Sequence, residues 1–206
     1  MPGTKIAESI RREQIISSAY ELATRGGLRA VTIRDVAKRA EMSTGLVIFH
    51  FRTKERLILA LLDHVLATTI TLRVGPELQT IEDPLERLTA LLRQEMARLS
   101  TEPKQNRLFF EFWNEGMWNR AVRLRMQREL DRYRAAFRPM TEQVISADPE
   151  RFSGLSAESL AAVAVAFIKG CAVQSMVEPD LDVTGFLRSA EALLIPPMTA
   201  APRSSV

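Results

Sequence analysis

The chain has 206 residues, of which 46% are hydrophobic and 26% are charged, a composition typical of soluble globular proteins and not of disordered or fibrous ones. Its longest uninterrupted apolar run, residues 160–168, is far shorter than the roughly 20 residues that cross a bilayer, so the sequence predicts no transmembrane span. No apolar signal segment follows the N-terminal charge. The chain has one cysteine, Cys171, which cannot form an internal disulfide, and with only two histidines beside it there is no zinc-type ligand set. We therefore expect a cytoplasmic protein that has no metal or other cofactor and does not bind membranes.

Positive charge is concentrated in the first third of the chain. Residues 1–60 contain eleven Lys or Arg and six Asp or Glu, although the net charge of the whole chain is only +3. A basic end on a nearly neutral body is typical of nucleic-acid binding, but a solvated helical surface explains it as well. Charge alone leaves both interpretations open.

Apolar residues recur at helical spacing along the whole chain, and no stretch alternates long enough for a strand, so we predict an all-α fold of about nine helices. The first helix, residues 6–24, should end at the pair Gly26 and Gly27. The second helix starts at Thr32, where we expect a capping box. In it, the Thr32 hydroxyl accepts from the Asp35 amide, and the Asp35 carboxylate bonds back to the Thr32 amide.

A short third helix and a long fourth helix complete the N-terminal part of the chain. Ser43 is a good N-cap for the third helix, residues 44–51, and Thr53 for the fourth, residues 54–73. A Gly-Pro pair should close the fourth helix, so we predict that the first domain spans residues 1–75. Four helices of this size bury little surface alone, and the long helix is also expected to pack on the second part of the chain.

Five further helices are predicted in residues 76–195, which would form a second domain. The first of them has the clearest start signal, with Asp83 as N-cap and Pro84 at the first helical position, and it should end before Pro103. The others are expected over residues 105–115, where Gly116 interrupts the helix, and over 119–146, 156–177 and 182–195. The tail, residues 196–206, is rich in Pro, Ala and Ser and is predicted to be disordered.

The two short helices in residues 32–51, joined by a tight turn and preceded by a longer helix, match the helix-turn-helix arrangement. The characteristic positions are Gly27, Thr32, Val36-Ala37, Ala40, Ser43, Gly45, His50-Phe51 and Lys54-Glu55. In these positions the sequence resembles the TetR family of transcriptional repressors. It differs from the family pattern at Glu41-Met42, where Gly-Val is common, and at Ile48, where a tyrosine is frequent.

The resemblance implies DNA contacts by this motif, and the residue types have physical reasons to make them. Thr32 and Ser43 place hydroxyls and free amides at helix N-termini, where a phosphate oxygen is favoured, and Gly45 permits close approach to DNA. The predicted DNA-binding residues are Thr32, Arg34, Ser43, Thr44, Gly45, Leu46, Phe49, His50 and Lys54. Of these, Thr44, Leu46 and Phe49 are expected to face bases, and His50 and Lys54 to contact phosphates. On the residues alone, Thr32 and Ser43 would also be ordinary helix caps.

An aromatic-rich segment, residues 108–118, supplies a candidate ligand site in the second domain. Together with the Arg-rich helix after it, this segment resembles the C-terminal domain of BetI-like repressors, and residues 43–47 are similar to the recognition helix of that branch. Aromatic faces beside a carboxylate suit a quaternary ammonium ion. The predicted ligand-binding residues are Phe109, Phe110, Glu111, Trp113, Glu115, Met117, Trp118, Met126 and Tyr133.

Two other interpretations of the aromatic segment remain open. The aromatic side chains would also fit a plain hydrophobic core. Alternatively, Phe109, Met117, Met126 and Tyr133 would form adaptable walls for a larger hydrophobic effector, and the protein would then regulate an efflux or lipid-metabolism gene.

The resemblance also implies a homodimer on a palindromic operator, because a single recognition helix reads only a few base pairs. In this family the last two helices of each subunit pair into a four-helix bundle. The interface candidates are Val163, Phe167, Gly170, Leu187 and Leu194. An effector would then move the helix at residues 54–73, change the spacing of the two recognition helices and release the DNA.

Two rival classes of function are less well supported by the sequence. A small helical enzyme would need a nucleophile, phosphate-binding or metal motif, and none is present; Cys171 lies in the most apolar helix, where a thiol is usually inert. A helical adaptor without DNA binding would leave the basic N-terminal part without a role. The sequence therefore favours a ligand-responsive DNA-binding repressor without catalytic residues.

Overall fold

The computed structural model of the chain describes residues 2–69, 71–178 and 180–194, and these form ten α-helices and one short 3₁₀ helix, with no strand among them. The all-α prediction is therefore confirmed. The helices are α1 Pro2–Gly26, α2 Ile33–Arg39, α3 Thr44–Phe51, α4 Lys54–Thr69, α5 Pro76–Gln79, α6 Pro84–Thr101, α7 Pro103–Trp118, α8 Arg120–Ala147, α9 Ala157–Val177 and α10 Val183–Leu194, and the 3₁₀ helix spans Leu28–Ala30.

The helices form two compact units that do not follow chain order. The first unit takes the described residues of Met1–Arg73 and Thr101–Ala136, and the second takes those of Val74–Ser100 and Phe137–Val206. Helix α7 and the first part of α8 thus belong to the first unit. The assignment of functional domains to residues 1–75 and 76–195 stays a prediction, and the tail at residues 196–206 lies outside the described residues.

In the first unit, α1 packs against α2, α4, α7 and the 3₁₀ helix, while α3 packs against α2 and α4. Helix α4 also packs against α7, as expected for a helix whose apolar face exceeds what the N-terminal helices can cover. The Gln105 amide reinforces this pairing by donating to the Thr69 hydroxyl at 3.0 Å. The core between these helices is made of fully buried side chains, among them Ile15, Val31, Val36, Val47, Leu57, Leu61, Phe109, Phe112 and Val122.

Local capping determines where the short helices begin. The Ser43 hydroxyl accepts from the Leu46 amide at 3.1 Å, and the Thr53 hydroxyl accepts from the Arg56 amide at 3.2 Å, as predicted. The Thr32 hydroxyl likewise accepts from the Asp35 amide at 3.1 Å. The second half of the predicted capping box is wrong.

The Thr32 amide does not bond to the Asp35 carboxylate, because it donates to the Ala30 carbonyl at 3.1 Å in the preceding 3₁₀ helix. The Asp35 carboxylate accepts from the Thr32 hydroxyl instead, at 2.6 Å. The N-cap therefore forms one closed hydrogen-bonded ring between these two side chains and the α2 backbone. The 3₁₀ helix that redirects this amide was not predicted.

Two predicted helix ends are also wrong. Helix α4 stops at Thr69 and not at residue 73, since the β-branched run that follows Thr68 favours helix poorly and the Thr68 hydroxyl bonds back to the Val65 carbonyl at 3.0 Å. Gly75 is not the end of that helix but the N-cap of α5, which was not predicted. Counting α5, the described residues contain one helix more than the sequence predicted.

Gly116 does not interrupt α7, which runs on to Trp118. A Cβ at Gly116 would lie 3.5 Å from the Arg123 Cα, at ordinary van der Waals distance, so this glycine lies close to the start of α8. The two helices are separated at Asn119, whose side-chain oxygen caps α8 by accepting from the Ala121 amide at 3.0 Å. Helix α8 then continues through Pro139 to Ala147.

The second unit is built from α5, α6, the last part of α8, α9 and α10. Helix α9 starts with a full capping box between Ser156 and Ser159, and it is tied to α8 by the Thr141 hydroxyl, which donates to the Ala157 carbonyl at 2.9 Å. The Asp182 carboxylate caps α10 as predicted, since it accepts from the Gly185 amide at 2.7 Å.

Helix α9 is long and apolar enough to cross a membrane by length and composition, which the short apolar run in the sequence did not indicate. Part of it is the core of the second unit, because Leu160, Ala164, Ile168 and Ala172 are buried on one face. The charged Lys169 is buried with them. We therefore interpret α9 as a core helix of a helical protein.

Candidate nucleic-acid interface and effector site

Helix α3 presents one continuous exposed face. Thr44, Gly45, Ile48 and Phe49 follow the spacing of one helix face and are all exposed, with Ile48 47% and Phe49 58% exposed, while Phe51 on the opposite face is buried. A contiguous exposed apolar patch often marks an interaction site. Ile48 lies on this face, one turn after Thr44, although it was not among the predicted DNA-binding residues.

The helix N-termini around α3 have the polar character that the sequence predicted. Arg34, Ser43 and Lys54 are exposed, and Thr32 is half-buried. At the start of α4, hydrogen bonds from the Glu55 backbone amide and the Thr53 side chain hold the pKa of the Glu55 carboxyl below its ordinary value. A helix N-terminus also favours other anions, including a phosphate oxygen.

The C-terminal end of α3 is held by α1. The Arg12 guanidinium lies over the Phe51 ring at 4.3 Å and donates to the His50 carbonyl at 3.4 Å. Leu46 and His50, both predicted to face DNA, are half-buried, and the Nε2 atom of His50 is buried without a hydrogen-bond partner among the described residues. The role of Arg12 was missed, since nothing in the local sequence brings α1 to this end of α3.

Three of the aromatic residues of α7 form one cluster in the first unit. Phe109 and Phe110 meet edge to face with ring centroids 5.1 Å apart, and Trp113 lies 5.8 Å from Phe109 and 6.0 Å from Phe110. Phe109 is fully buried, whereas Phe110 and Trp113 are half-buried. An accessible edge of this cluster is thus formed by the latter two rings.

The two predicted cage carboxylates are engaged elsewhere. Glu111 accepts from the Leu28 backbone amide at 2.8 Å, and Glu115 accepts from the Asn119 side chain at 3.4 Å. Each lies two residues from Trp113, and side chains at that spacing do not face each other on a helix.

The remaining predicted ligand residues are divided between surface and core. Met117 and Trp118, at the end of α7, are 57% and 85% exposed, so the structure does not bring them into the aromatic cluster. Met126 and Tyr133 are buried on one face of α8.

Comparison with known proteins agrees with this arrangement. Residues 15–61, which contain α2, α3 and their turn, match the profile of bacterial regulatory proteins of the tetR family, and residues 84–194 match the profile of the C-terminal part of BetI-type transcriptional repressors. The chain belongs to the tetR family. The sequence-based resemblance is therefore confirmed, including its BetI-type branch.

Curated relatives of this tetR-family chain match part of its sequence. It is 29% identical over 117 residues to the HTH-type transcriptional regulator BetI of Burkholderia lata, covering 57% of this chain and 60% of the relative, and 30% identical over 127 residues to that of Paraburkholderia phymatum, covering 60% and 62%. The chain thus matches about three fifths of the length of these curated relatives.

Solved structures share the fold at lower identity. A TetR transcription regulator from Haloarcula marismortui is 21% identical with a TM-score of 0.71, covering 89% of this chain and 95% of its own. A protein from Saccharomonospora viridis, crystallised in complex with choline, is 22% identical with a TM-score of 0.68, covering 90% of this chain and 96% of its own. At such identities the likeness concerns the fold.

The second unit of this tetR-family chain has an apolar cavity of about 470 Å³ between α6, α9 and α10. Its walls include Leu92, Phe186 and two of the predicted interface residues, Val163 and Phe167. Val163 is 59% exposed, and Leu187 is already buried in its own unit. A Cβ at Gly170 would meet nothing within 4 Å, and the side chain of Leu194 lies outside the described part of the structure.

Proposed function

We propose that the chain is a DNA-binding transcriptional repressor that acts as a homodimer on a palindromic operator and is released by a small-molecule effector. The observation that carries this proposal is the exposed face of α3, where Ile48 and Phe49 are exposed and the Arg52 guanidinium lies 5.9 Å from the centroid of the Phe49 ring. Arg34 and Lys54 are exposed as well. An apolar strip with a basic rim suits the major groove, because thymine methyl groups meet the strip while phosphates meet the rim. The family assignment supports a cytoplasmic regulator and not an enzyme.

DNA selection from a random pool tests the proposal. Wild-type protein should enrich a palindromic sequence, and Phe49→Ala should lose more affinity for that sequence than for random DNA because it removes a base contact. Leu155→Ala is the matched control, since Leu155 is a similarly exposed apolar residue of the second unit. Failure to enrich any sequence, or equal losses on both DNAs, would contradict the proposal.

The dimer is proposed to form through α9 and α10. The exposed side of α9 is apolar at Val163, Val173 and Val177, and it borders the cavity that Phe167 and Phe186 line. A second copy would cover this face and exclude water from it.

Light scattering tests the dimer. Val163→Glu should lower the mass from dimer to monomer, because a carboxylate buried at the interface has no partner. Leu155→Glu introduces the same charge at a similarly exposed apolar position outside this face and should leave the dimer intact. A dimer that survives Val163→Glu would place the interface elsewhere.

The effector is proposed to contact the aromatic cluster of α7. A similar fold binds choline, and the half-buried rings of Phe110 and Trp113 are surfaces that attract a quaternary ammonium group. A hydrophobic effector is the second candidate, favoured by the buried Phe109, Met126 and Tyr133.

A further inference from the structure

The turn between α1 and α2 is held by a side chain from α7. The 3₁₀ helix at Leu28–Ala30 follows Gly27, which precedes it as N-cap and has no side chain to cap it. The Leu28 backbone amide donates instead to Oε2 of Glu111 at 2.8 Å. Glu111 thus supplies, from a distant part of the chain, the cap that the turn lacks.

Two features of Gly27 allow this contact: its backbone conformation and its lack of a side chain. Its φ of +72° lies in the left-handed region that favours glycine. A Cβ at this position would also lie only 2.9 Å from Oε1 of Glu111, closer than carbon and oxygen normally approach. The turn therefore accommodates the carboxylate only because residue 27 has no side chain.

The capped turn leads directly into the DNA-binding helices. The Val31 amide donates to the Leu28 carbonyl at 3.2 Å, and the Thr32 amide donates to the Ala30 carbonyl at 3.1 Å. Thr32 is the N-cap of α2, and α2 packs against α3. A displacement of the Leu28 amide is therefore passed to the start of α2 within four residues.

The other end of the contact lies on the helix that carries the aromatic cluster. Glu111 follows Phe110 and precedes Trp113 on α7, and it points to the turn while the rings face each other. Because α7 is one continuous helix, a ligand that displaced the α7 backbone at the rings would also displace the Glu111 carboxylate. A hydrogen bond of 2.8 Å weakens once its atoms separate by several tenths of an ångström.

We propose that Glu111 is a positioning residue that couples α7 to the orientation of α2 and α3, and that it does not contact the effector. The regulatory part of this inference rests on the proposed function. The residues that bind the effector and the residue that transmits its binding would then lie on different faces of one helix. Loss of the Glu111 contact would release the recognition helix from the position set by α7.

Three variants separate this role from a general loss of stability. Glu111→Ala removes the acceptor, and Glu111→Gln keeps a side-chain oxygen that can accept from the Leu28 amide. Phe112→Leu weakens the packing of α7 next to Glu111 without touching the turn, since Phe112 is fully buried in the core. Thermal unfolding and circular dichroism show that each variant is folded before comparison.

Hydrogen exchange of the DNA-free protein gives the first readout. Glu111→Ala should speed exchange of the Leu28 amide about tenfold and also raise exchange across α2, while Glu111→Gln should stay near wild type. If α2 is unaffected in Glu111→Ala, or if Phe112→Leu has the same effect on it, the coupling role is overturned. This outcome does not depend on any DNA or effector.

Affinity for the DNA selected by the wild-type protein gives the second readout. Glu111→Ala should lose about tenfold in affinity, whereas Glu111→Gln and Phe112→Leu should lose little. Equal losses in Glu111→Ala and Phe112→Leu would contradict the positioning role. If the wild-type protein selects no DNA, the proposed function fails, and the exchange result still decides whether Glu111 positions α2.

Discussion

At the scale of single residues, Glu41 holds a backbone conformation that its side chain disfavours. It lies in the turn between α2 and α3 with φ of +54°, where a Cβ comes close to the backbone oxygen. The family pattern commonly has glycine at this turn position, for which the same φ costs nothing. The turn therefore keeps its shape at an energetic cost that the Glu41 side chain introduces.

Glu41→Gly should stabilise the protein by about 0.5–1 kcal/mol, because relief of the left-handed strain exceeds the extra freedom of glycine in the unfolded chain. Chemical denaturation measures the free energy of unfolding. Glu41→Ala is the control, since it removes the carboxylate but keeps the Cβ, and it should give no gain. Equal effects of the two substitutions would show that charge, and not backbone strain, determines stability at this turn.

Lys169 is a second residue in unfavourable surroundings, because they disfavour its charged form. Burial and, to a smaller extent, repulsion by Arg98 lower the pKa of Lys169 to about 8, although attraction by Glu95 opposes the shift. The Arg98 guanidinium donates to the Glu95 carboxylate at 2.9 Å, and that carboxylate is itself buried. The second unit thus contains two cations and one anion close together, of which Lys169 and Glu95 are buried and Arg98 is half-buried.

This lowered pKa gives a pH dependence of stability with a definite sign. Between about pH 8 and the unfolded-state pKa near 10.5, the unfolded chain binds the Lys169 proton more strongly than the folded chain, so folding becomes more favourable as the pH rises. Relative to Lys169→Met, the wild-type free energy of unfolding should increase by about 2–3 kcal/mol from pH 7 to pH 10.5. A difference between the two proteins that stays constant over this range would contradict the prediction.

At the scale of helices, the N-terminus of α4 combines a fixed dipole with a side-chain charge. Lys54 is exposed at its first position, next to Glu55, whose pKa is lowered by its own backbone amide, by Thr53 and by the charge of Lys54. Such a site binds a phosphate without distinguishing bases. We expect contacts to bases to come instead from the exposed face of α3.

Lys54→Ala should therefore weaken binding to every DNA sequence alike. The slope of log affinity against log salt concentration should fall by about 0.9 per subunit, because one fewer counterion is released. Titrations at several salt concentrations measure it, with Lys104→Ala on α7 as a control at another exposed lysine. An unchanged slope would show that Lys54 contacts no phosphate and has a role only at the N-terminus of α4.

The helix starts could be predicted from the sequence because capping is local. Thr32, Ser43 and Asp83 lie beside the amides that they cap, so three or four neighbouring residues contain the whole interaction. The ends of α4 and α7 could not be predicted in the same way. Gly116 stays within α7, because a glycine inside a helix costs only about 1 kcal/mol relative to alanine and does not by itself end the helix.

At the scale of the molecule, the site depends on contacts that join distant parts of the chain. The sequence places Glu111 among aromatic residues, but its carboxylate bonds to an amide 83 residues earlier. Arg12 likewise meets His50 across 38 residues. The residue types of the site could therefore be predicted, whereas the partner of each charged group could not.

Because the predicted carboxylates are bonded elsewhere, the aromatic cluster alone should determine which effector charge is preferred. Phe110 and Trp113 offer ring faces, while Glu111 and Glu115 are bonded to Leu28 and Asn119, so we expect attraction for a cation to come from the rings. Each ring contributes about 0.5–2 kcal/mol to such an interaction. A neutral molecule of the same shape lacks this contribution.

Choline should therefore bind at least about tenfold more tightly than its neutral carbon analogue 3,3-dimethylbutanol. In Trp118→Phe, Trp113 is the single tryptophan, and its fluorescence should change saturably with choline. The exposed Trp118 makes its replacement a mild change, and Trp113→Leu should abolish choline binding measured by calorimetry. If only a neutral fatty compound binds, the cluster is the wall of a hydrophobic pocket; if neither binds, the three rings are core and the effector contacts another part of the protein.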